Sequence, residues 1–296
     1  MGADKERWRS SQMTEHWREQ LGKFGVWRSV NLVTPDLAAN LEGLGFGALW
    51  LGGSPGGDLA VIDELLDATS SLIVATGIVN VWQSDPHEVA ASFARIEAAY
   101  PGRFLLGVGA GHREATAEYA KPYDTLVRYV DVLIADGVPG NSMVLAALGP
   151  RMLRLGAERT AGAHPYLVPT SYTSQARQLL GTDPLLAVEH KAVMEADPEV
   201  ARAIGRSRVR RPYLGLVNYT SNLRRLGWTD ADLADPGSDA LIDALVAHGD
   251  PPRVAAQLTE HLTAGADHVC VQLLADTGAD PLDGYRQLAA GLNLSP

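Results

Sequence analysis

The segment 102–112 is the part of the chain whose residue types and spacing could most clearly do chemistry. An apolar run leads directly into alternate glycines, which are Gly107, Gly109 and Gly111. Glycines let a ligand touch the main chain, and exposed backbone amides can bind a carbonyl or a phosphate group. The run imitates a dinucleotide-binding fingerprint, but His112 stands where the third glycine is needed. A ligand-binding loop and a plain tight turn are both consistent with this pattern.

Ionisable residues are scarce at the ends of the other apolar runs. No Ser-His-Asp or Cys-His set stands out, and no paired carboxylates converge. Cys270 is the single cysteine, which excludes an internal disulfide and a zinc site made of several cysteines. A site with glycines, tryptophans and few acids or bases favours a large planar cofactor that supplies the chemistry itself.

Three histidines, His112, His164 and His190, fall near predicted strand ends. His112 could donate a hydrogen bond to a substrate or hold a developing anion, or it could simply face water. His164 is expected to be structural. His190 and its neighbour Glu189 should point to opposite sides of their strand, and packing or an ion pair is favoured over catalysis. A metal-dependent hydrolase remains an alternative, although the first strand offers no paired histidines.

Two further groups have both a functional and a structural interpretation. Trp27 and Trp82 could wall an apolar substrate pocket, or they could pack in the core. A basic run could pair with the anionic tail of a cofactor, although a solvated helix end is the favoured interpretation. The run consists of Arg206, Arg208, Arg210 and Arg211.

The elements that must position these residues alternate regularly. Short apolar segments are typical of strands buried on both faces, and helices between them begin at pairs such as Thr34-Pro35 and Asp85-Pro86. The pattern predicts an α/β fold, a (β/α)8 TIM barrel, with an open doubly wound sheet as the alternative. The predicted strands are 23–27, 46–51, 72–79, 104–108, 143–146, 162–166, 185–189 and 268–273.

The regularity breaks once, between the seventh and eighth predicted strands. More residues lie there than one helix needs, so 206–237 is predicted to be an insertion, either a lid on the catalytic rim or a structural extra helix pair or oligomer contact. Residues 1–22 are predicted to be an N-terminal extension that forms a surface helix or a frayed end. The chain 1–296 is otherwise predicted to be a single domain.

Composition narrows the classes of partner. The 296 residues carry 35 acidic and 25 basic side chains, a net charge of −10, which disfavours nucleic acid. No apolar run approaches the ~18 residues that a bilayer needs, and the charged N-terminus lacks a secretory signal. The sequence therefore predicts a cytoplasmic protein with a small-molecule substrate and with neither a nucleic-acid nor a membrane partner.

Four segments, in order and at the right spacing, resemble a known family. They are 46–51, 75–79, 102–112 and 145–150. Together they resemble the luciferase-like monooxygenase superfamily, and within it the coenzyme F420-dependent oxidoreductases. The segments 161–166, 187–190, 197–202 and 265–269 are also similar to that branch. The resemblance extends from about Gly22 to the C-terminus.

The resemblance implies a TIM barrel that holds a deazaflavin at the strand ends, and a homodimer formed through helices beside the second and third strands. It also implies a non-proline cis peptide bond between Gly77 and Ile78, behind the ring of the cofactor. The cofactor contacts that it implies are Gly77, Ile78, Val108, Gly109, Ala110, Gly111, Ala146, Ala147, Leu148 and Gly149.

The chain departs from the better-known members of that family. Many have Asp-His where this chain has Gly53-Ser54, and some have a glutamate where this chain has Ala110. The usual proton donors are therefore absent, and His112 remains the catalytic candidate. The predicted substrate pocket consists of Trp27, Ser54 and Trp82.

The predicted activity is that of an enzyme, a hydride transfer between coenzyme F420 and a small organic substrate. An FMN-dependent luciferase-like monooxygenase is the nearest alternative, because both cofactor rings share one binding mode. A deazaflavin-binding protein without catalytic activity is a further alternative, suggested by the missing proton donors.

Overall fold

A computed structural model describes residues 15–112, 121–274 and 281–295. Ten strands are present in this part of the chain. They are β1 (Phe24–Ser29), β2 (Ala48–Gly52), β3 (Ile73–Thr76), β4 (Val79–Asn80), β5 (Phe104–Gly109), β6 (Met143–Leu145), β7 (Gly162–Ala163), β8 (Leu185–Val193), β9 (Val246–His248) and β10 (His268–Leu274).

Helices follow most of the strands. They are α1 (15–21), α2 (Pro35–Gly43), α3 (Ala60–Asp67), α4 (Pro86–Ala99), α5 (Pro122–Ala135), α6 (Pro150–Arg159), α7 (Thr170–Leu180), α8 (Pro198–Arg210), α9 (Val217–Arg225), α10 (Asp230–Leu233), α11 (Asp239–Leu245), α12 (Pro251–Thr263) and α13 (Pro281–Gly291). Side-chain caps hold several first turns, as where Thr34 accepts from the Leu37 amide and Asp85 accepts from the amides of His87 and Glu88. No helix in the described ranges is long and apolar enough to cross a membrane.

All strand pairings are parallel, and the sheet closes on itself. The order runs from β10 through β1, β2, β3, β5, β6 and β7 to β8, and β8 also pairs with β10. That last pairing is long, from His268 opposite Ala187 to Leu274 opposite Val193. The predicted TIM barrel is therefore confirmed, and the alternative of an open doubly wound sheet is wrong.

Apart from shifts of one to three residues at strand ends, the strands differ from prediction at three places. The predicted third strand is divided into β3 and β4 by the peptide bond between Gly77 and Ile78, which is cis. β8 continues four residues beyond its predicted end, and β9 has no counterpart in the prediction. β9 pairs with this outer part of β8, where Lys191 lies opposite Val246. The three residues of β9 follow α11 directly, so they carry too little alternation to mark a strand.

The strands alternate between two apolar layers. The larger one lies between the strands and the helices, and the smaller one fills the barrel. Trp50 lies at the centre of the smaller layer, and its indole N–H donates to His268 Nε2 at 3.1 Å. Because barrel interiors are packed with side chains rather than open, a ligand can enter the barrel only at the strand ends.

The helix α1 closes the N-terminal end of the barrel. Trp17 and Leu21 are buried in the interior layer, and the Trp17 indole N–H donates to the Asn141 carbonyl at 2.7 Å. Residues 15–21 form a helix, the first alternative of the prediction, and its apolar side chains cover the bottom of the barrel while Glu15, Glu19 and Gln20 are exposed. Residues 1–14 of the predicted extension lie outside the described residues.

Two buried histidines meet outside the barrel, between β8 and the helices. His190 Nδ1 lies 3.0 Å from His261 Nε2, and His261 Nδ1 lies 2.7 Å from Thr173 Oγ1. His190 thus points into the helical layer while Glu189 points inward, as the alternation predicts. Burial lowers the pKa of His261 to about 4 and the pKa of His190 well below its ordinary value.

These lowered pKa values make stability depend on pH. The unfolded chain binds protons at histidines with a pKa near 6.5, whereas folded His261 does so only near 4, so the free energy of unfolding should fall as the pH drops from about 6.5 to 4. We expect His261→Gln to reduce that fall by up to about 3 kcal/mol, measured by urea unfolding at several pH values. His87→Gln, which changes a side chain that is 69% exposed, is the matched control. An unchanged pH slope in His261→Gln would contradict this interpretation.

Candidate active site at the mouth of the barrel

The C-terminal ends of β2 to β6 present almost no side chains to the barrel axis. Trp50, Ala75 and Leu105 point into the barrel. Because side chains alternate along a strand, the small residues two positions further along these strands also point inward. We call them the bare half of the mouth, and they are Gly52, Gly77, Gly107, Gly109 and Ala146. Gly77, Ile78 and Ala146 are partly exposed, so main chain is accessible there.

Close packing within the protein accounts for the alternate glycines. A Cβ at Gly107 would collide with the carbonyl oxygen of Thr76, and one at Gly109 would lie 2.7 Å from the Ala146 methyl group. Gly111 has a φ of 57°, and a Cβ there would lie 2.8 Å from the side-chain amide of Asn80. The glycines therefore allow β3, β4 and β6 to approach β5. Contact of this segment with a ligand stays a prediction.

The segment after β4 supports the glycine run from outside. The indole N–H of Trp82 donates to the Ala110 carbonyl at 2.7 Å, and the Val81 amide donates to the Gly109 carbonyl at 3.0 Å. Trp82 is partly exposed and packs against the outer apolar layer, whereas Trp27 lies inside the barrel. The two predicted pocket tryptophans thus belong to different layers. Val108 also faces the outer layer.

The segment between β6 and α6 lies beside the glycine run. The Ala146 amide donates to the Val108 carbonyl at 2.9 Å. The hydroxyl of Tyr172 donates to the carbonyls of Ala147 at 2.9 Å and Leu148 at 3.2 Å, which fixes the segment from below. Gly149 precedes the first turn of α6 in an extended conformation, with open space where its Cβ would be. The segment 146–149 consists of predicted cofactor contacts. It forms one continuous edge of the mouth with Gly77 and Gly109, which are also predicted contacts.

The opposite half of the mouth carries a buried polar network, which we call the polar half. Lys191 Nζ donates to Glu189 Oε1 at 2.9 Å and to the Tyr166 hydroxyl and Gln272 Oε1 at 2.8 Å each. Tyr213, from the segment after α8, donates its hydroxyl proton to the Tyr166 oxygen at 2.8 Å. The second oxygen of Glu189 accepts from the Leu167 amide. All three protons of the ammonium group are therefore used.

Burial sets the protonation states in this network. It raises the pKa of Tyr166 well above its ordinary value and that of Tyr213 to about 12, so both hydroxyls stay protonated. Burial also lowers the pKa of Lys191, while the neighbouring Glu189 carboxylate opposes that change. The lysine and glutamate are 1% and 0% exposed, and their opposite charges balance inside the barrel.

The sequence predicted packing or an ion pair for Glu189 and gave no sign of Lys191, Tyr166, Gln272 or Tyr213 at the mouth. The missing signal was the length of β8. Once that strand continues past residue 189, the period of two places Lys191 on the same inward face. Nothing in the sequence pattern places Tyr213 over the mouth, since it comes from the predicted insertion.

Two other predicted residues lie at the rim. His112 is partly buried, and its ring centre is 5.5 Å from that of Tyr219 and 6.4 Å from that of Tyr213. The predicted catalytic histidine thus faces the polar half. Ser54 is partly buried and has a left-handed backbone with a φ of 57°, just after β2.

The arginines of the predicted insertion are oriented by aspartates. Arg206 pairs with Asp239 and Arg210 pairs with Asp235, both in the segment before or at the start of α11. For these two, the solvated-helix interpretation fits the structure better than a bond to a cofactor. These surface ion pairs connect α8 with the segment that leads into α11.

A cavity of about 310 Å³ lies elsewhere, between α2 and α13 on the outside of the barrel. It is lined by Ala39, Asn40, Gly43, Leu44, Leu282 and Arg286. None of the residues singled out from the sequence contributes to it. Over the described ranges, no three His, Cys, Asp or Glu residues converge as metal ligands would.

Comparison with known proteins agrees with this geometry. Residues 33–135 match the family described as luciferase-like monooxygenase, which confirms the predicted resemblance to that superfamily over α2 to α5. No curated protein sequence is significantly similar to the chain.

Solved structures share the fold over nearly the whole chain. An F420-dependent secondary alcohol dehydrogenase, in complex with an F420-acetone adduct, is 16% identical with a TM-score of 0.69, over 91% of this chain and 98% of that one. The coenzyme F420-dependent tetrahydromethanopterin reductase of Methanopyrus kandleri is 16% identical with a TM-score of 0.67, over 92% and 98%.

A third structure contains a different cofactor. The oxygenating constituent of 3,6-diketocamphane monooxygenase from Pseudomonas putida, in complex with FMN, is 15% identical with a TM-score of 0.61, over 90% and 96%. These identities establish the likeness of fold. The chain therefore has the TIM-barrel fold that these structures share.

The ion pair in the polar half can be tested by comparing a single variant with a double variant. Lys191→Met removes the ammonium group and leaves the Glu189 carboxylate buried without its counter-charge, so we expect a loss of about 3–5 kcal/mol in the free energy of unfolding at pH 7. The double variant Lys191→Met/Glu189→Gln should recover most of that loss, because no buried charge remains. Denaturant unfolding measures both. Equal destabilisation of the single and double variants would show that the charges are not coupled.

Proposed function

We propose that this chain is an oxidoreductase that transfers a hydride between coenzyme F420 and a small organic substrate. The observation that carries the proposal is the division of the mouth. The bare half offers main chain at Gly77, Gly109 and Ala146, and the facing half offers buried hydroxyl, amide and charged groups. A planar ring fits against the first half, and a substrate fits between that ring and the second.

The residues at the mouth fit such a ring by their size and polarity. Gly77, Ile78 and Ala146 are partly exposed and small or apolar towards the axis, so a flat surface can contact the backbone there. The open space at Gly149 and the first turn of α6 leave backbone amides for the polar tail of the cofactor. When bound, F420 supplies the hydride donor or acceptor.

The chain itself would position the substrate and exclude water. Trp27 and Tyr166, with ring centres 5.2 Å apart, form an aromatic wall beneath the polar half. Tyr213 and Tyr219 cover that half from the insertion, with ring centres 5.0 Å apart. His112 lies beside them, where it could hold or supply a proton at the substrate. Orientation in a water-poor site is the main contribution that such side chains can make to a hydride transfer.

FMN is the second candidate cofactor, because one neighbour of the same fold contains it. We expect F420 to quench the tryptophan fluorescence of the purified protein at lower concentration than FMN does. We also expect reduced F420 to be reoxidised only when a carbonyl or enone substrate is added. Tighter FMN binding with oxygen consumption would favour a monooxygenase, and F420 binding without turnover of any substrate would favour a carrier. The predicted homodimer and cytoplasmic location stay predictions.

The position of the ring can be tested at Ala146, whose methyl group faces the axis. Ala146→Phe places a large side chain in the bare half, and we expect it to weaken F420 binding at least tenfold because the two rings need the same space. Ala203→Phe adds the same side chain on the exposed surface of α8 and serves as the control. Fluorescence titration gives the affinities, and circular dichroism checks the fold. Unchanged affinity in Ala146→Phe would place the cofactor elsewhere.

A further inference from the structure

The hydrogen-bonded chain of the polar half ends at a tyrosine hydroxyl. Lys191 Nζ lies 2.8 Å from the Tyr166 hydroxyl, which in turn lies 2.8 Å from the Tyr213 hydroxyl. The ammonium end of this chain is buried, whereas Tyr213 is partly exposed at the rim. Within the described ranges, Tyr166 is the one hydrogen-bond partner of the Tyr213 hydroxyl. That hydroxyl therefore has capacity for a further hydrogen bond.

Two features beside this chain are not explained by stability alone. Leu167 has a left-handed backbone with a φ of 54°, which is strained for a residue with a side chain. The Glu189 carboxylate accepts from the Leu167 amide at 2.8 Å and thereby fixes the adjacent Tyr166. Apolar side chains of the same volume often stabilise a protein as well as a buried pair such as Glu189 and Lys191. Strain and buried charge at the C-terminal ends of barrel strands indicate a function.

The hydride transfer of the proposed function needs a proton at this end of the barrel. A hydride that reaches a carbonyl carbon leaves an alkoxide, whose oxygen must then take up a proton. Burial raises the pKa of Tyr213 to about 12, so the phenol keeps its proton near pH 7. A phenol is nevertheless a far stronger acid than an aliphatic alcohol, so transfer of its proton to an alkoxide is favourable.

We infer that Tyr213 is the proton donor for the substrate oxygen, and that Tyr166 and Lys191 position it and stabilise its anion. This inference rests on the proposed function, which supplies the hydride and its two electrons to the carbonyl carbon. The O–H bond of Tyr213 breaks as an O–H bond forms on the substrate oxygen. In the reverse direction, the Tyr213 anion takes the proton of an alcohol.

The neighbouring groups can follow this change without moving their heavy atoms. The Tyr166 hydroxyl donates to Gln272 Oε1 at 2.8 Å, and rotation of its O–H bond directs the proton to the Tyr213 oxygen instead. Gln272 keeps the hydrogen bond from Lys191, and Lys191 continues to donate to Tyr166. The Tyr213 anion thus gains a hydrogen bond from a hydroxyl that an ammonium group polarises. Solvent returns a proton to the partly exposed Tyr213 after the transfer.

A stable oxyanion tests this donor without cofactor or turnover. The probe 4-nitrophenolate stands in for the alkoxide, and its visible absorbance reports binding to the full-length protein. Tyr213→Phe removes the hydroxyl and retains the ring, so we expect it to weaken binding at least roughly tenfold, the effect of one hydrogen bond to a charged group. Tyr100→Phe is the matched control, because it removes a hydroxyl that bonds to Asp67 at the opposite end of the barrel.

Two results of this titration would overturn the inference. One is an affinity of Tyr213→Phe equal to that of the unmodified protein, or no binding to either. The other is a loss of affinity in His112→Gln with none in Tyr213→Phe, which would make the histidine the donor. Circular dichroism checks that each variant is folded.

The positioning role of Tyr166 has a separate readout. Tyr166→Phe removes the hydrogen bond to Tyr213, so we expect a smaller loss of phenolate affinity, roughly three- to tenfold. The double variant Tyr166→Phe/Tyr213→Phe should bind no more weakly than Tyr213→Phe alone, because Tyr166 acts through that hydroxyl. Losses that add would show that Tyr166 has a structural role only.

Carbonyl reduction relates the donor to the reaction. With reduced F420 and cyclohexanone or cyclohexenone, Tyr213→Phe should lower the rate about a hundredfold and leave the affinity for F420 unchanged. An equal rate in the variant and the unmodified protein would overturn the inference. Failure of F420 to bind, or to reduce either probe, would contradict the proposed function alone, since the phenolate affinities are measured without cofactor.

Discussion

The interior of an eight-stranded barrel has room for only a few large side chains, and this limit on space determines the rest of the structure. Trp50 fills one layer and Trp27 fills the next towards the mouth. Each large ring requires small residues on the strands that face it, as where Trp27 lies directly against Gly52. The same limit leaves one half of the mouth with bare main chain and gathers the longer side chains on the other half.

The polar side chains of the mouth fall into two kinds. Those around Lys191 satisfy one another completely, since its three protons reach Glu189, Tyr166 and Gln272. Such a network holds the strand ends in place and balances its own charge. Trp27 and His164 are different, because their rings are fixed while a nitrogen of each has no partner in the described part of the chain. The first kind contributes to stability.

Both the confirmed and the corrected predictions follow from the strength of the local signal. All eight predicted strands are present, because parallel strands that are buried on both faces appear as continuous apolar runs. The strand β9 was missed, because three residues after a helix carry no periodicity. The burial of Trp17 in the barrel interior was not predicted, because nothing local to that residue shows that the barrel needs a cover at that end.

The sequence by itself determined the class of fold and the opposite directions of Glu189 and His190, and the family resemblance implied the cis peptide bond between Gly77 and Ile78. Only the tertiary structure decided that the sheet closes, that Lys191 lies among Tyr166, Glu189 and Gln272, and that Trp27 and His164 converge on Gly77. The physical reason is that alternation along a strand is a local property. Contact across a barrel depends on the register between strands, which the chain acquires only when it closes.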